Sequence, residues 1–243
     1  MYLPMLPCGI TTTCDYIKYT GDVEFLDEIV DYFDGGSDTV WVHLIKGINR
    51  VDMDRGPHNL PLSHFADWND ALNTGLNDKN AESVFVGMQF VLACREMAEL
   101  CKYLGKNKLY DDYMAKADET SKIINETSWD DEGYYVRSFS HGKAIGSSKC
   151  EKGSKIFVNP QSWALMSGTC PPERMQAVLD AIDKYLDTPV GCYVNYPAYT
   201  EYDPDLGRIS FQYPGTSENG AIYAHATSFK MYANCLLGLG DRA

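Results

Sequence analysis

Residues 64–73 read HFADWNDALN, so Asp67, Trp68, Asn69 and Asp70 crowd two carboxyls, an indole and a carboxamide into one turn. An indole face packs well on a pyranose ring. A neighbouring carboxylic acid kept protonated by its surroundings can give its proton to a glycosidic oxygen. The same letters also make an ordinary helix start, with Asp67 or Asn69 as the N-cap. A second concentration is YPGTSENGAIYAH at residues 213–225. There the Pro-Gly pair makes a turn and the letters after it open a helix. Glu218 and His225, seven apart, then fall on nearly one helical face about two turns apart. Free N–H groups at such a helix start favour an anion. Taken singly, Glu218 also reads as a first-turn dipole partner and His225 as a satisfied core histidine. A third segment, NPQSWALMSG at residues 159–168, offers Gln161 to a sugar hydroxyl, or else is a capped helix with Trp163 in the core.

The elements that must position these groups are mostly helical. Apolar residues at Val40, Trp41, Leu44, Ile45, Ile48 and Val51 recur at helical spacing and predict a helix over 38–53. The same pattern predicts helices over 83–104 and 109–125. Another opens at Pro171-Pro172, where a missing donor costs nothing. Shorter helices are expected over 9–19 and 22–33, and a last one over 218–236. Three long connections separate them: 54–82, 128–159 with room for a small hairpin or two, and 187–217. Loops of this length are usually functional or disordered, and their aromatic content favours function. The alternation of helix and long loop is that of an α/α toroid.

Composition narrows the partners. With 21 Lys+Arg against 34 Asp+Glu the net charge is −13, which argues against nucleic acid and anionic membranes. No apolar run is long enough to cross a membrane, and the N-terminus lacks the basic and apolar regions of a signal peptide. The eight cysteines form no CxxC pair and read as reduced core thiols of a cytoplasmic protein. The five histidines show no HxxxH or HExxH spacing, so no metal is expected.

The segments GPHNLPL (56–62) with ADWNDALN (66–73), then NPQSWALMSG, then GRIS (207–210) with YPGTSENGAIYAH, occur in this order. Together with YIKYTGD (16–22) they closely resemble the cellobiose/chitobiose phosphorylase family. The resemblance covers essentially the whole chain and implies a mainly α fold, part of an (α/α)6 barrel with long loops and small β-hairpins. It implies inverting phosphorolysis of a β-glucosidic disaccharide or short oligosaccharide to α-D-glucose 1-phosphate. Asp70 is then the general acid, Trp68, Glu218 and Gln161 bind the sugar, and His225 binds phosphate. No cofactor is implied beyond inorganic phosphate as co-substrate. Family members usually carry Lys before the Glu, where this chain has Ser217, so one cation near the reaction centre is absent or supplied elsewhere.

The physics of that assignment is consistent. An inverting hydrolase needs an acid and a base about 6.5–9.5 Å apart with a water between base and sugar. Phosphate is already a nucleophile, so one acid and an anion pocket suffice. The resemblance also implies that residues 1–243 are a single-domain portion of the barrel cut at both ends. Such a piece would be inactive alone and would self-associate, as a homodimer or otherwise, through exposed apolar helix faces. The competing expectations are a sugar-binding or structural remnant without catalysis, and a hydrolase on the same barrel.

Overall fold

The structure, a computed structural model, describes residues 5–243, so the apolar opening at Leu3-Pro4 lies outside the described residues. Among the described residues there are seven α-helices. They are α1 (Met5–Thr20), α2 (Val40–Met53), α3 (Val84–Tyr103), α4 (Asn107–Thr127), α5 (Val158–Met166), α6 (Pro172–Tyr185) and α7 (Ala224–Leu236). They form two layers. In the inner row α1 packs on α3, α3 on α5 and α5 on α7. In the outer row α2, α4 and α6 each pack on the inner helix that precedes them in the chain.

Sequence decides the layer. Helix α3 is buried all round from Val84 to Val91, and α5 is buried from Val158 to Leu165, as helices enclosed on every side must be. The outer helices bury one stripe each, such as Leu44, Ile48 and Val51 in α2, or Tyr113, Ala117 and Ile124 in α4. Most of these side chains belong to one continuous core.

Among the described residues nine short strands decorate the connections. β1 (Ile29–Asp31) and β2 (Ser37–Thr39) form a hairpin before α2. β3 (Glu82–Ser83), β4 (Ser138–Ser140) and β5 (Lys143–Ile145) make a three-stranded antiparallel sheet. β6 (Ile156–Phe157) precedes α5, β7 (Asp187–Thr188) and β8 (Gly191–Cys192) pair with each other, and β9 (Asn195–Tyr196) pairs with β6. The three long connections all lead into the starts of inner helices, α3, α5 and α7, and so gather at one end of the arc. The fold is mainly α with small hairpins.

Two expectations change. The helix expected over 22–33 is instead a single 3-10 turn, Glu24–Asp27, followed by the β1–β2 hairpin. Ile29 and Val30 are β-branched, and Gly35 and Gly36 adopt the positive φ that a tight hairpin turn needs. The last helix begins at Ala224 rather than 218, because Gly215, Ser217 and Gly220 all lie in the left-handed region. Glu218 and His225 therefore share no helical face. The helical alternative for residues 159–168 is the one that forms, as α5.

Candidate active site

The turn 66–70 is not a helix start. It is irregular chain held from below by one fully buried cation, Arg137, which follows the paired Tyr134–Tyr135 segment and precedes β4. The Arg137 guanidinium donates to Asp67 Oδ1 at 2.5 Å and to Asn69 Oδ1 at 2.8 Å, and reaches Ser83 Oγ at 3.3 Å. It lies over the rings of Phe85 and Phe157. Ser83 is saturated: its hydroxyl caps α3 by accepting from Val86 N, accepts from Arg137, and donates to Asp67 Oδ2 at 2.7 Å. Asp67 is thus a buried structural carboxylate, 6% exposed, that locks the turn to the start of α3.

Asp70, three residues on, is exposed. Among the described residues its carboxylate has no hydrogen-bond partner, while its backbone carbonyl accepts from Asn73 Nδ2 at 2.9 Å. Asn69 and Ala71 on either side of it both donate to Glu218 Oε2, each at 3.2 Å. Glu218 is only 8% exposed, and burial, reinforced by the nearby Asp70 and Asp67 charges, raises its carboxyl above the usual range. Its Oε1 is left without a protein partner among the described residues. Ser217, at φ 50°, turns the chain so that Glu218 faces the Asp67–Asp70 turn.

Trp68 brings in the histidine. Its Nε1–H donates to His225 Nδ1 at 3.2 Å. An indole N–H can only donate, so Nδ1 accepts and the ring proton of His225 sits on Nε2. Trp68 is half buried in an aromatic nest of Phe85, Tyr223, His225 and Phe229, with ring centroids 5.0–6.5 Å away. Its N–H is committed to His225, so what it offers a ligand is ring surface. His225 is exposed in the first turn of α7, beside backbone N–H groups that lack helical partners. The later helix start therefore moves His225 onto the anion-favouring end, where the earlier one put it two turns inside.

The structure thus brings together Asp70, Trp68, Glu218 and His225. It does not bring Gln161 to them. Gln161 is fully buried in α5, accepts from Tyr135 N at 2.8 Å, and donates to the carbonyls of Tyr135 and Phe157 at 2.7 and 3.0 Å. That is a clamp between α5 and the strand leading to Arg137, with no group left for a sugar hydroxyl at the surface. Sequence reasoning missed Arg137, Ser83 and Asn73. Arg137 is a single cation 68 positions from its nearest partner in the turn, and only three-dimensional contact marks it.

A cleft of about 600 Å³ is lined by Phe65, Asn73, Tyr202, Arg208 and Phe211, among others, and so reaches Asn73, which holds the Asp70 carbonyl. One wall is the 3-10 turn Gly207–Ser210, docked on the chain that follows Asp70: Arg208 N donates to Asn73 Oδ1 and Ile209 N to Ala71 O. Gly207 makes this possible, since at φ 77° a Cβ would come within 2.5 Å of the Asn73 side chain. No group of carboxylates, histidines and cysteines suited to a metal ion occurs among the described residues, and no described helix is long and apolar enough to cross a membrane.

Comparison with known proteins bears on this site. Residues 8–243 match the family described as glycosyl hydrolase 94 superfamily, catalytic domain. Solabiose phosphorylase of Paenibacillus borealis is 38% identical over 239 residues, covering 98% of this chain and 31% of that protein. N,N'-diacetylchitobiose phosphorylase of Vibrio proteolyticus is 32% identical, covering 96% of this chain and 29% of that protein. This chain therefore spans about 30% of the length of the curated relatives it matches. Among solved structures, a rhamnosidase from Klebsiella oxytoca superposes with a TM-score of 0.59 at 11% identity, over 96% of this chain and 34% of that one, a likeness of fold alone.

Proposed function

This chain belongs to the glycosyl hydrolase 94 superfamily, and on that premise we propose that it carries the acid, sugar-binding and phosphate-facing groups of an inverting β-glycoside phosphorylase. The observation that supports this best is that one turn carries Asp70 and gathers both Glu218 and His225 by hydrogen bonds. Asp70 stands open beside Glu218, and Trp68, two residues earlier, holds His225 at the start of α7.

In this reading the glycosyl unit lies between Asp70 and the α7 start. Glu218 Oε1 accepts a ring hydroxyl, and the leaving sugar lies in the cleft of Phe65, Tyr202 and Phe211. Asp70 gives its proton to the glycosidic oxygen as that bond breaks. Phosphate, held by His225 Nε2–H and the free N–H groups of α7, attacks the anomeric carbon from the opposite face, so a β-linkage yields an α-1-phosphate. The nucleophile is an anion already, and no second carboxylate is needed to activate water. A β-linked gluco-disaccharide is the substrate class we favour, and closure of the helical arc into a full (α/α)6 barrel is the architecture that goes with it.

Asp70→Asn tests the assignment in the complete protein. The amide keeps the shape but cannot donate the proton, so phosphorolysis of an unactivated disaccharide should fall by about 10²–10⁴-fold. A dinitrophenyl glycoside, whose leaving group needs no proton, should lose far less. Near wild-type turnover of the unactivated substrate would remove Asp70 from the role.

A further inference from the structure

Arg137 lies too deep to touch a ligand, yet every hydrogen bond of its guanidinium leads to the turn that carries Asp70. Two of its three partners, Asp67 and Asn69, are in that turn, and the third, Ser83, holds Asp67 as well. The consequence falls on Asn69. Its carboxamide is buried and faces a guanidinium on one side and the Glu218 carboxylate on the other. A guanidinium can only donate and a carboxylate can only accept. The carboxamide oxygen must therefore face Arg137 and the Nδ2 must face Glu218.

We propose that Arg137 is a positioning residue for the reaction, fixing the sense of the Asn69 carboxamide so that Asn69 and Ala71 together hold Glu218 Oε2 against the turn bearing Asp70. Without the guanidinium, only the Glu218 carboxylate is left to select this sense, and the carboxamide oxygen loses the donor that anchors it. Reversed, it would set oxygen against carboxylate, and Glu218 would lose one of its two donors. Holding Oε2 twice also leaves Oε1 without a protein partner among the described residues. Arg137 itself is held from behind, since its backbone N donates to Ile145 O and the Gln161 clamp fixes Tyr135 two residues before it. The order is thus α5, Gln161, Arg137, Asn69, Glu218, a line running from the core to the site.

A purely structural role for the Arg137–Asp67 ion pair predicts something different, and two variants separate them. Arg137→Lys keeps a cation beside Asp67 but cannot fork to both partners. Asn69→Asp keeps an acceptor for Arg137 but cannot donate to Glu218. In the complete protein each should lower kcat/KM for phosphorolysis by about 10- to 100-fold, as expected when a hydrogen bond to a charged group is lost. The double variant should be no worse than the poorer single, because both cut the same line. Losses that multiply, or wild-type kinetics in Asn69→Asp, would overturn the proposal, the latter even if Arg137→Lys fails to fold.

This kinetic arm rests on the functional reading above, so a second readout is independent of activity. In protein labelled with 15N-asparagine, the side-chain amide signal that disappears in Asn69→Asp belongs to Asn69. It should exchange slowly in the wild type and rapidly in Arg137→Lys. Equal protection in both would refute the positioning role. If the wild type forms no sugar phosphate while the amide behaves as expected, the functional reading fails and the Arg137 line stands.

Discussion

His225 Nδ1 accepts from Trp68, and that single bond decides which ring nitrogen faces outward as a donor. Trp68→Phe keeps an aromatic ring in the nest but removes the donor, so the two tautomers of His225 become comparable. The bond is worth about 1 kcal/mol. With the tautomers about equal, only half the molecules present the Nε2–H donor, so the KM for phosphate should rise about twofold, with the KM for sugar moving less. Steady-state kinetics with each substrate varied in turn would check this, and an unchanged KM for phosphate would detach Trp68 from His225 in function. At this scale the sequence was partly legible. It marked Asp67 and Asp70 as candidate carboxyls but held no physical ground for telling them apart, because what separates them is burial and Arg137. Asp67 sits in a closed set of hydrogen bonds and Asp70 stands open. The choice of Asp70 rests on the resemblance.

At the scale of elements, Gln161 shows how a polar residue in a helical segment can be misread. Its three hydrogen bonds to backbone would leave the Tyr135 N–H and carbonyl unpaired in the core if it were Ala. Such groups cost about 1–3 kcal/mol each, so Gln161→Ala should lower the thermal midpoint by on the order of 10 °C. A midpoint within 1 or 2 °C of wild type together with a raised KM for sugar, by calorimetry and kinetics, would return Gln161 to the binding site. The long helices α2, α3, α4 and α6 were legible because each carries a sustained apolar stripe or a proline start. The ends of α7 and the hairpin β1–β2 were not. Left-handed backbone at Ser217 and the antiparallel pairing of Ile29 with Thr39 are set by turn geometry and by partners distant in the chain, which a periodic pattern does not record. The convergence of the loops was legible only as three long aromatic connections. Their meeting at one end follows from the alternation of inner and outer helices.

For the whole molecule, the end helices of the arc differ from those inside it. Among the described residues α7 buries Ala226, Lys230, Ala233 and Asn234 but exposes Met231, Tyr232 and Leu236, whereas α3 and α5 are enclosed. Relatives that match 93–98% of this chain are about three times its length, so the activity proposed belongs to the complete protein. With a net charge of −13, the proposed reading requires phosphate to be held locally against a repulsive field, by the α7 start and His225. Central to the account is that phosphate, not water, is the nucleophile, with inversion. The most direct measurement is proton NMR of the complete protein mixed with cellobiose and other β-linked disaccharides, with and without inorganic phosphate. The account predicts an α-configured sugar 1-phosphate that appears only when phosphate is present. Release of free sugar at the same rate without phosphate, or a β-configured 1-phosphate as first product, would contradict it.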